Sequence, residues 1–184
     1  MDEKELVKPM NTTEALERFE ESANHYLQEL NGFSMEQLVR QPSENEWSMG
    51  QMVLHLINSS LNMSLRNIDH CMTNDETSVG SKGEKTEAGQ ALFDQGGFPP
   101  VRIQVPPSPQ YTPEQPESKE LLVDGLNTVI SRMKEVESTV EHASLHNTVS
   151  HPRFGALNAK EWFMLVEMHF RHHLLQWDRL KQSL

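Results

Sequence analysis

Residues 162–176 read Trp162-Phe-Met-Leu-Val-Glu-Met-His-Phe-Arg-His-His-Leu-Leu-Gln176, and this stretch decides the predicted fold. Trp162, Val166, His169, His173 and Gln176 recur at the spacing of one face of an α-helix. His169 and His173 therefore lie one helical turn apart on that face. Because two imidazoles at this spacing can reach the same metal ion, the stretch predicts a metal site inside a helical protein.

Histidines on a buried face need polar partners, since each unsatisfied buried polar group costs about 1–3 kcal/mol. A metal ion and a hydrogen-bonded network both meet that need, and the spacing alone does not choose between them. His172 is a rival partner for His169, but adjacent residues diverge by ~100° on a helix, so the stripe favours His173 and leaves His172 at the flank. Gln176 is either an outer partner that orients His173 or a packing residue.

A third histidine, His55, lies in the apolar run Met49-Gly-Gln-Met-Val-Leu-His-Leu-Ile57. Alone, it would be interpreted as an ordinary partly buried histidine, and the pair on the later helix makes it a candidate ligand. His70 follows fifteen residues later, about 22 Å along a helix, so it cannot share an ion with His55. The remaining histidines with no special spacing are expected at the surface: His25, His142 and His146.

Capping residues and apolar periodicity predict four long helices and one short one. The short helix opens at Ser34 and ends before Pro42. The long helices are expected from about Thr12 to Leu30, from Ser48 to about Met72 or Asn74, from about Ser118 to Ala143, and from Asn158 almost to the C-terminus. We therefore expect an all-α fold, a four-helix bundle that forms a single domain over residues 1–184.

Residues 75–117 differ in composition from the rest of the chain, because glycines and then prolines recur through them. No regular helix is expected there, so the second and third long helices should be joined by a long irregular crossover. Within it, the alternating residues 101–105 predict an extended stretch against the helices.

Composition excludes several classes of function. The formal net charge of -11 argues against nucleic acid or an anionic membrane as a partner, and no stretch approaches the ~20 apolar residues of a membrane span. The single cysteine, Cys71, excludes an intramolecular disulfide and a cysteine-cluster metal site, and the charged N-terminus has no secretory apolar region, so a cytoplasmic protein is expected. The motifs of di-iron carboxylate bundles, zincin proteases and α/β-hydrolases are absent from the sequence.

Four short motifs occur together in one order. They are Trp47-Ser-Met-Gly-Gln51 leading to His55-Leu56, His151-Pro-x-Phe-Gly155-x-Leu157, Glu161-Trp162, and His169-x-x-x-His173-x-x-Gln176. This combination resembles the DinB/YfiT-like superfamily of metalloenzymes. The motifs are spread over about half of the chain and the helical plan covers nearly all of it, but no motif aligns with the glycine- and proline-containing segment.

The resemblance implies a four-helix bundle in which His55, His169 and His173 hold one divalent metal ion, and it implies a homodimer. Members of the superfamily look like metal-dependent hydrolases or thiol S-transferases. The expected partner is therefore a small-molecule substrate, with a low-molecular-weight thiol as one option. The alternative is a non-catalytic metal-binding or stress-response bundle without turnover.

The ligand set would determine the chemistry. Three neutral imidazoles leave the +2 charge uncompensated, so the pKa of bound water can fall to about 7, and a bound thiol can lose its proton in the same way. Zinc and nickel both suit imidazole ligands, and the sequence does not choose between them. An enzyme needs an open coordination position, an adjacent pocket and a general base, for which no residue stands out, whereas a binding module needs none of these.

Overall fold

The computed structural model describes residues 10–73, 83–102, 108 and 111–184. Its helices are α1 (Thr12–Leu30), α2 (Met35–Val39), α3 (Met49–Ser59), α4 (Arg66–Met72), α5 (Glu87–Gln95), α6 (Lys119–Val140) and α7 (Ala159–Gln182). A π-helical segment, Ser60–Leu65, joins α3 to α4, and two strands, β1 (Thr148–His151) and β2 (Gly155–Asn158), precede α7. The predicted predominance of helix is confirmed.

Side chains at the helix N-termini explain why the sequence located these helices well. Asn11 accepts a hydrogen bond from the backbone of Glu14 at the start of α1. Ser34, Ser48 and Asn158 each form a capping box with the Gln or Glu three residues later. Because such caps satisfy backbone N–H groups that have no partner inside the helix, they define each start to within one residue.

The second predicted long helix is continuous from residue 49 to residue 72 but is not α-helical throughout. Ser59 and Arg66, which flank the π-helical segment, keep right-handed helical backbone angles, so the chain does not break there. A π turn closes each hydrogen bond over one more residue than an α turn, and so shifts the faces of the residues that follow. No side-chain pattern in the sequence predicted this change of register.

The prediction that no regular helix occurs in residues 75–117 was wrong. Helix α5 forms between the early glycines and the prolines, where the Thr86 hydroxyl accepts a hydrogen bond from the backbone N–H of Gly89. Gly96, in the left-handed conformation with φ 67°, ends the helix. The expected extended stretch at residues 101–105 lies largely outside the described residues.

A small β-hairpin, absent from the all-α prediction, precedes α7. Strands β1 and β2 pair in antiparallel register from Thr148 with Asn158 to His151 with Gly155. Gly155 adopts φ 77°, and an added Cβ there would lie 2.5 Å from the carbonyl oxygen of Glu84. Glycine is therefore needed where the hairpin meets the chain that leads into α5.

The core lies where α1 packs against α6 and α7 and where α3 packs against the same two helices. Fully buried aromatic rings meet edge to face in it, such as Phe19 with Phe170 at 4.9 Å and Tyr26 with Trp177 at 5.4 Å. The Tyr26 hydroxyl donates a hydrogen bond to the carbonyl oxygen of Phe170 at 2.8 Å. Among the described helices, none has the length and apolar character required to cross a membrane.

Gly89 provides a test of how α5 packs on the hairpin. In an unconstrained helix, Ala is about 1 kcal/mol more favourable than Gly. A Cβ at residue 89, however, would lie 2.2 Å from the carbonyl oxygen of Phe154, and backbone has to move to relieve this contact. Gly89→Ala should therefore lower the free energy of unfolding by roughly 1–3 kcal/mol in urea denaturation.

The matched control is Gly32→Ala, where the nearest atom to an added Cβ is the Glu29 carbonyl oxygen at an ordinary 3.4 Å. This variant should stay within about 0.5 kcal/mol of the wild type. A Gly89→Ala protein as stable as the control would show that α5 does not pack closely on the hairpin.

Candidate metal centre

Three histidine side chains from two helices converge inside the fold. His55 lies on α3, and His169 and His173 lie one turn apart on α7. The Nε2 atom of His169 is 3.0 Å from the Nε2 atom of His55 and 3.1 Å from that of His173. The structure thus brings together the three histidines that were candidate metal ligands in the sequence.

The arrangement of the three nitrogens is compatible with a divalent metal ion, since one ligand atom from each ring lies within 4.8 Å of the others. Ligands 2.0–2.1 Å from a single tetrahedral ion would be ~3.3 Å apart, close to the two Nε2–Nε2 distances. A cation placed among them would accept three lone pairs at once. The donor set therefore fits a metal that prefers imidazole.

Hydrogen bonding to the outer ring nitrogens orients two of the three imidazoles. His173 Nδ1 donates to the Gln176 side-chain oxygen at 2.7 Å, which leaves the lone pair of His173 on Nε2. The Ser59 hydroxyl lies 3.5 Å from His55 Nδ1, and the Trp47 ring packs against the His55 ring at 5.0 Å. Gln176 thus hydrogen-bonds to His173, where the sequence left both an orienting role and a packing role open.

Burial keeps the cluster neutral. Desolvation lowers the pKa of His55 to about 4. Desolvation, with a smaller contribution from the charge of His55, lowers the pKa of His173 to about 3. The pKa of His169 lies well below its usual range, first because the ring is buried and then because the neighbouring histidines would repel its charge. Neutral rings with free lone pairs are the form that binds metal.

The other histidines do not share the three converging nitrogens. His172 flanks it, with its ring 5.0 Å from the ring of Phe98 and 5.3 Å from that of His173. His142 and His146 are exposed, as expected. His25 is partly exposed, with its ring 6.2 Å from the Tyr26 ring.

A cavity of about 520 Å³ opens beside the three histidines. Aromatic and aliphatic side chains form much of its wall, among them Trp47, Phe98 and Leu165. The charged residues that line it in the described part of the chain are Glu46, Arg102, Arg153 and Arg179. A pocket of this size that combines apolar wall with polar groups able to orient a ligand is typical of small-molecule sites.

His151 is a polar group of this cavity to which sequence reasoning assigned no role. Its Nδ1 accepts hydrogen bonds from the backbone N–H groups of Arg153 at 3.0 Å and Phe154 at 3.2 Å. A ring that accepts at Nδ1 carries its proton on Nε2. Burial, with a smaller contribution from Arg153, lowers the pKa of His151 to about 4, so the ring is a neutral hydrogen-bond donor at neutral pH. Only the tight turn of the hairpin creates this arrangement.

A buried ion pair connects α7 to the cavity wall. The Glu167 carboxylate is fully buried and accepts hydrogen bonds from Arg171 Nε at 2.6 Å and from a terminal nitrogen of Arg171 at 3.1 Å. The same terminal nitrogen donates to the Gly96 carbonyl oxygen at 2.7 Å. Because Phe98 follows two residues later, this network holds the segment that carries Phe98 against the histidines.

Comparison with known proteins agrees with the motifs on which the site is built. Residues 18–177 match the model of the DinB superfamily, and this range includes all three clustered histidines and Gln176. The chain belongs to the DinB superfamily. No curated protein and no solved structure matches this DinB-like chain at a significant level. The family assignment thus rests on a match that covers most of the chain, including the candidate metal ligands.

The Glu167–Arg171 pair should contribute to stability in a way that a double-mutant cycle can isolate. Arg171→Met leaves a fully buried carboxylate without its cation and should cost roughly 2–3 kcal/mol, below the 3–5 kcal/mol of a completely buried pair because the Arg171 side chain is 40% exposed. Glu167→Gln combined with Arg171→Met should cost less than the sum of the single changes in urea denaturation.

Arg18→Met is the matched control, because Arg18 also pairs with a glutamate four residues away, Glu14, but both side chains are exposed. Its cost should be below about 0.5 kcal/mol. Strictly additive effects of the two changes at residues 167 and 171 would contradict a coupled ion pair.

Proposed function

We propose that this DinB-like protein binds one divalent ion, zinc or nickel, through His55, His169 and His173. With this ion it acts as a metal-dependent hydrolase or thiol S-transferase on a small molecule. The observation that carries the proposal is the convergence of three imidazole Nε2 atoms beside a cavity of ligand size. A structural metal site needs no adjacent cavity, so this geometry favours an enzyme over the non-catalytic alternative.

The metal ion and the protein side chains contribute different parts of the proposed chemistry. When bound, the ion supplies Lewis acidity, which brings the pKa of water or of a thiol close to neutrality and so provides a nucleophile. Gln176 holds His173 in the tautomer whose Nε2 lone pair is free. The Nε2–H group of His151 is a fixed donor in the same cavity, suited to a substrate oxygen on which negative charge develops.

Two aspects of the architecture belong to the same proposal. We infer that the long helical segments α1, α3 to α4, α6 and α7 form the four-helix bundle, within a single domain, from the way α1 and α3 each pack against α6 and α7. The homodimer and the cytoplasmic location rest on the superfamily resemblance and on composition, and they stay predictions.

The metal assignment is tested by metal content. Protein stripped with a chelator and reloaded should retain about one zinc or nickel ion per chain after desalting, measured by elemental mass spectrometry. Changing any of the three histidines to Ala should abolish this retention, because two imidazoles do not hold the ion. Gln176→Leu should weaken the affinity about 10–100-fold, since His173 loses the partner that orients it.

His142→Ala is the control for the metal experiment, because His142 is exposed and far in sequence from the cluster. It should retain the wild-type metal content. Equal metal content in the wild type and in the His55, His169 and His173 variants would refute the assignment.

The enzymatic proposal is tested by turnover of electrophiles with several low-molecular-weight thiols and by hydrolysis of simple amides and esters. Activity should disappear with chelator and return with zinc or nickel. His172→Ala should be much milder than His173→Ala, because His172 lies beside the cluster against Phe98. Metal-loaded protein that turns over none of these substrates would favour the non-catalytic binding module.

A further inference from the structure

The charged side chains that line the cavity beside the three histidines are mainly positive, whereas the net charge of the whole chain is negative. Among the described residues, three arginines, Arg102, Arg153 and Arg179, line the cavity with one glutamate, Glu46, whereas the chain carries a formal net charge of -11. A metal ion would add further positive charge. A cleft of one sign within a protein of the other sign focuses the field on ligands that enter it.

The arginines differ in whether the protein neutralises them. Arg102 forms an ion pair with Glu46. Within the described part of the chain, no carboxylate pairs with Arg179 or with Arg153, and the Arg153 guanidinium lies 5.7 Å from the Phe154 ring centre. Arg179 is partly buried, and both its desolvation and the charge of Arg102 lower its pKa. A partly desolvated cation beside a like charge is stabilised by an anion that binds between them.

Arg179 lies on the same helix as His169 and His173, at a fixed distance from them. Arg179 lies six residues after His173 on α7, about 9 Å along the helix axis, and three residues after Gln176, which also lines the cavity. Trp47 and Phe98 supply apolar wall in the same cavity. A ligand that reaches both Arg179 and the three histidines therefore needs a short apolar scaffold with a negatively charged group at one end.

We propose that Arg179, assisted by Arg102, forms an oxyanion-binding subsite, and that the substrate is a small organic anion whose carboxylate or phosphate monoester lies there while its reacting end lies at the three histidines. This inference rests on the proposed function for the reaction at the histidines. The anion subsite itself depends on the arginines and the cavity and is present without the metal.

The test compares a carboxylate with its neutral amide of the same skeleton, and adds a phosphate monoester as a second oxyanion. Binding of 4-phenylbutyrate, 4-phenylbutyramide and phenyl phosphate to the full chain is measured by titration calorimetry and by quenching of tryptophan fluorescence, to which Trp47 in the wall contributes. Each titration is run on zinc-loaded and on chelator-treated protein, since a carboxylate or phosphate can also bind zinc directly. The subsite predicts that at least one of the two anions binds about 10-fold or more tightly than the amide in both preparations.

Arg179→Met removes the charge while keeping an unbranched side chain, and it should reduce the affinity for the preferred anion about 10-fold or more without changing the affinity for the amide. Arg179→Lys keeps the charge but loses the planar fork, so it should retain a weaker preference for the anion. Arg18→Met, on the exposed face of α1, is the control and should bind all three probes like the wild type.

Preference for the carboxylate and preference for the phosphate both support the subsite and identify its oxyanion. Equal affinities for the amide and both anions in wild-type protein would overturn it, and this comparison needs no variant to fold. An anion preference that Arg179→Met leaves intact, in a variant with a normal thermal melt, would also overturn it. Because the chelator-treated arm contains no metal, failure of the subsite is distinguishable from failure of the three-histidine assignment.

Discussion

The packing of α3 against α7 is the contact on which the candidate site depends. It places His55 within 3.0 Å of His169, although 114 residues separate them in the chain. His169 and His173 face α3 because they continue the apolar stripe of α7, so the force that buries Trp162 and Val166 also holds the partly buried imidazoles in the interface. The site is thus a polar interruption of a helix–helix interface that is otherwise apolar.

Two short elements outside the helical core, the β-hairpin and α5, complete a pocket beside that interface. The hairpin supplies His151 with its proton held on Nε2, and α5 ends at Gly96, whose carbonyl oxygen accepts from Arg171. The hairpin and α5 contact one another, since the backbone N–H of Thr86 donates to the carbonyl oxygen of Phe154 at 3.0 Å. Each element is short and would be marginal alone, so their mutual contact and their contact with α7 stabilise the wall.

Much of the fold was predictable because its signals are local. Caps such as Ser48 and Asn158 satisfy backbone groups within three residues, and the spacing of His169 and His173 follows from helix geometry alone. The helix α5 was missed because Gly89 and the surrounding glycines indicate a loop, whereas Gly89 is needed for close approach to the Phe154 carbonyl. The π-helical segment was missed because its hydrogen-bond register has no side-chain signature.

The sequence by itself determined the helical class, the one-turn spacing of His169 and His173, and the set of three histidines, since these depend on residues a few positions apart or on motifs read together. The tertiary structure alone decided that the rings converge, that His151 joins the same cavity and that Arg179 faces it without a carboxylate partner among the described residues. The reason is physical: burial, tautomer and the balance of charge in a cavity depend on which distant segments pack together, and no local pattern encodes that.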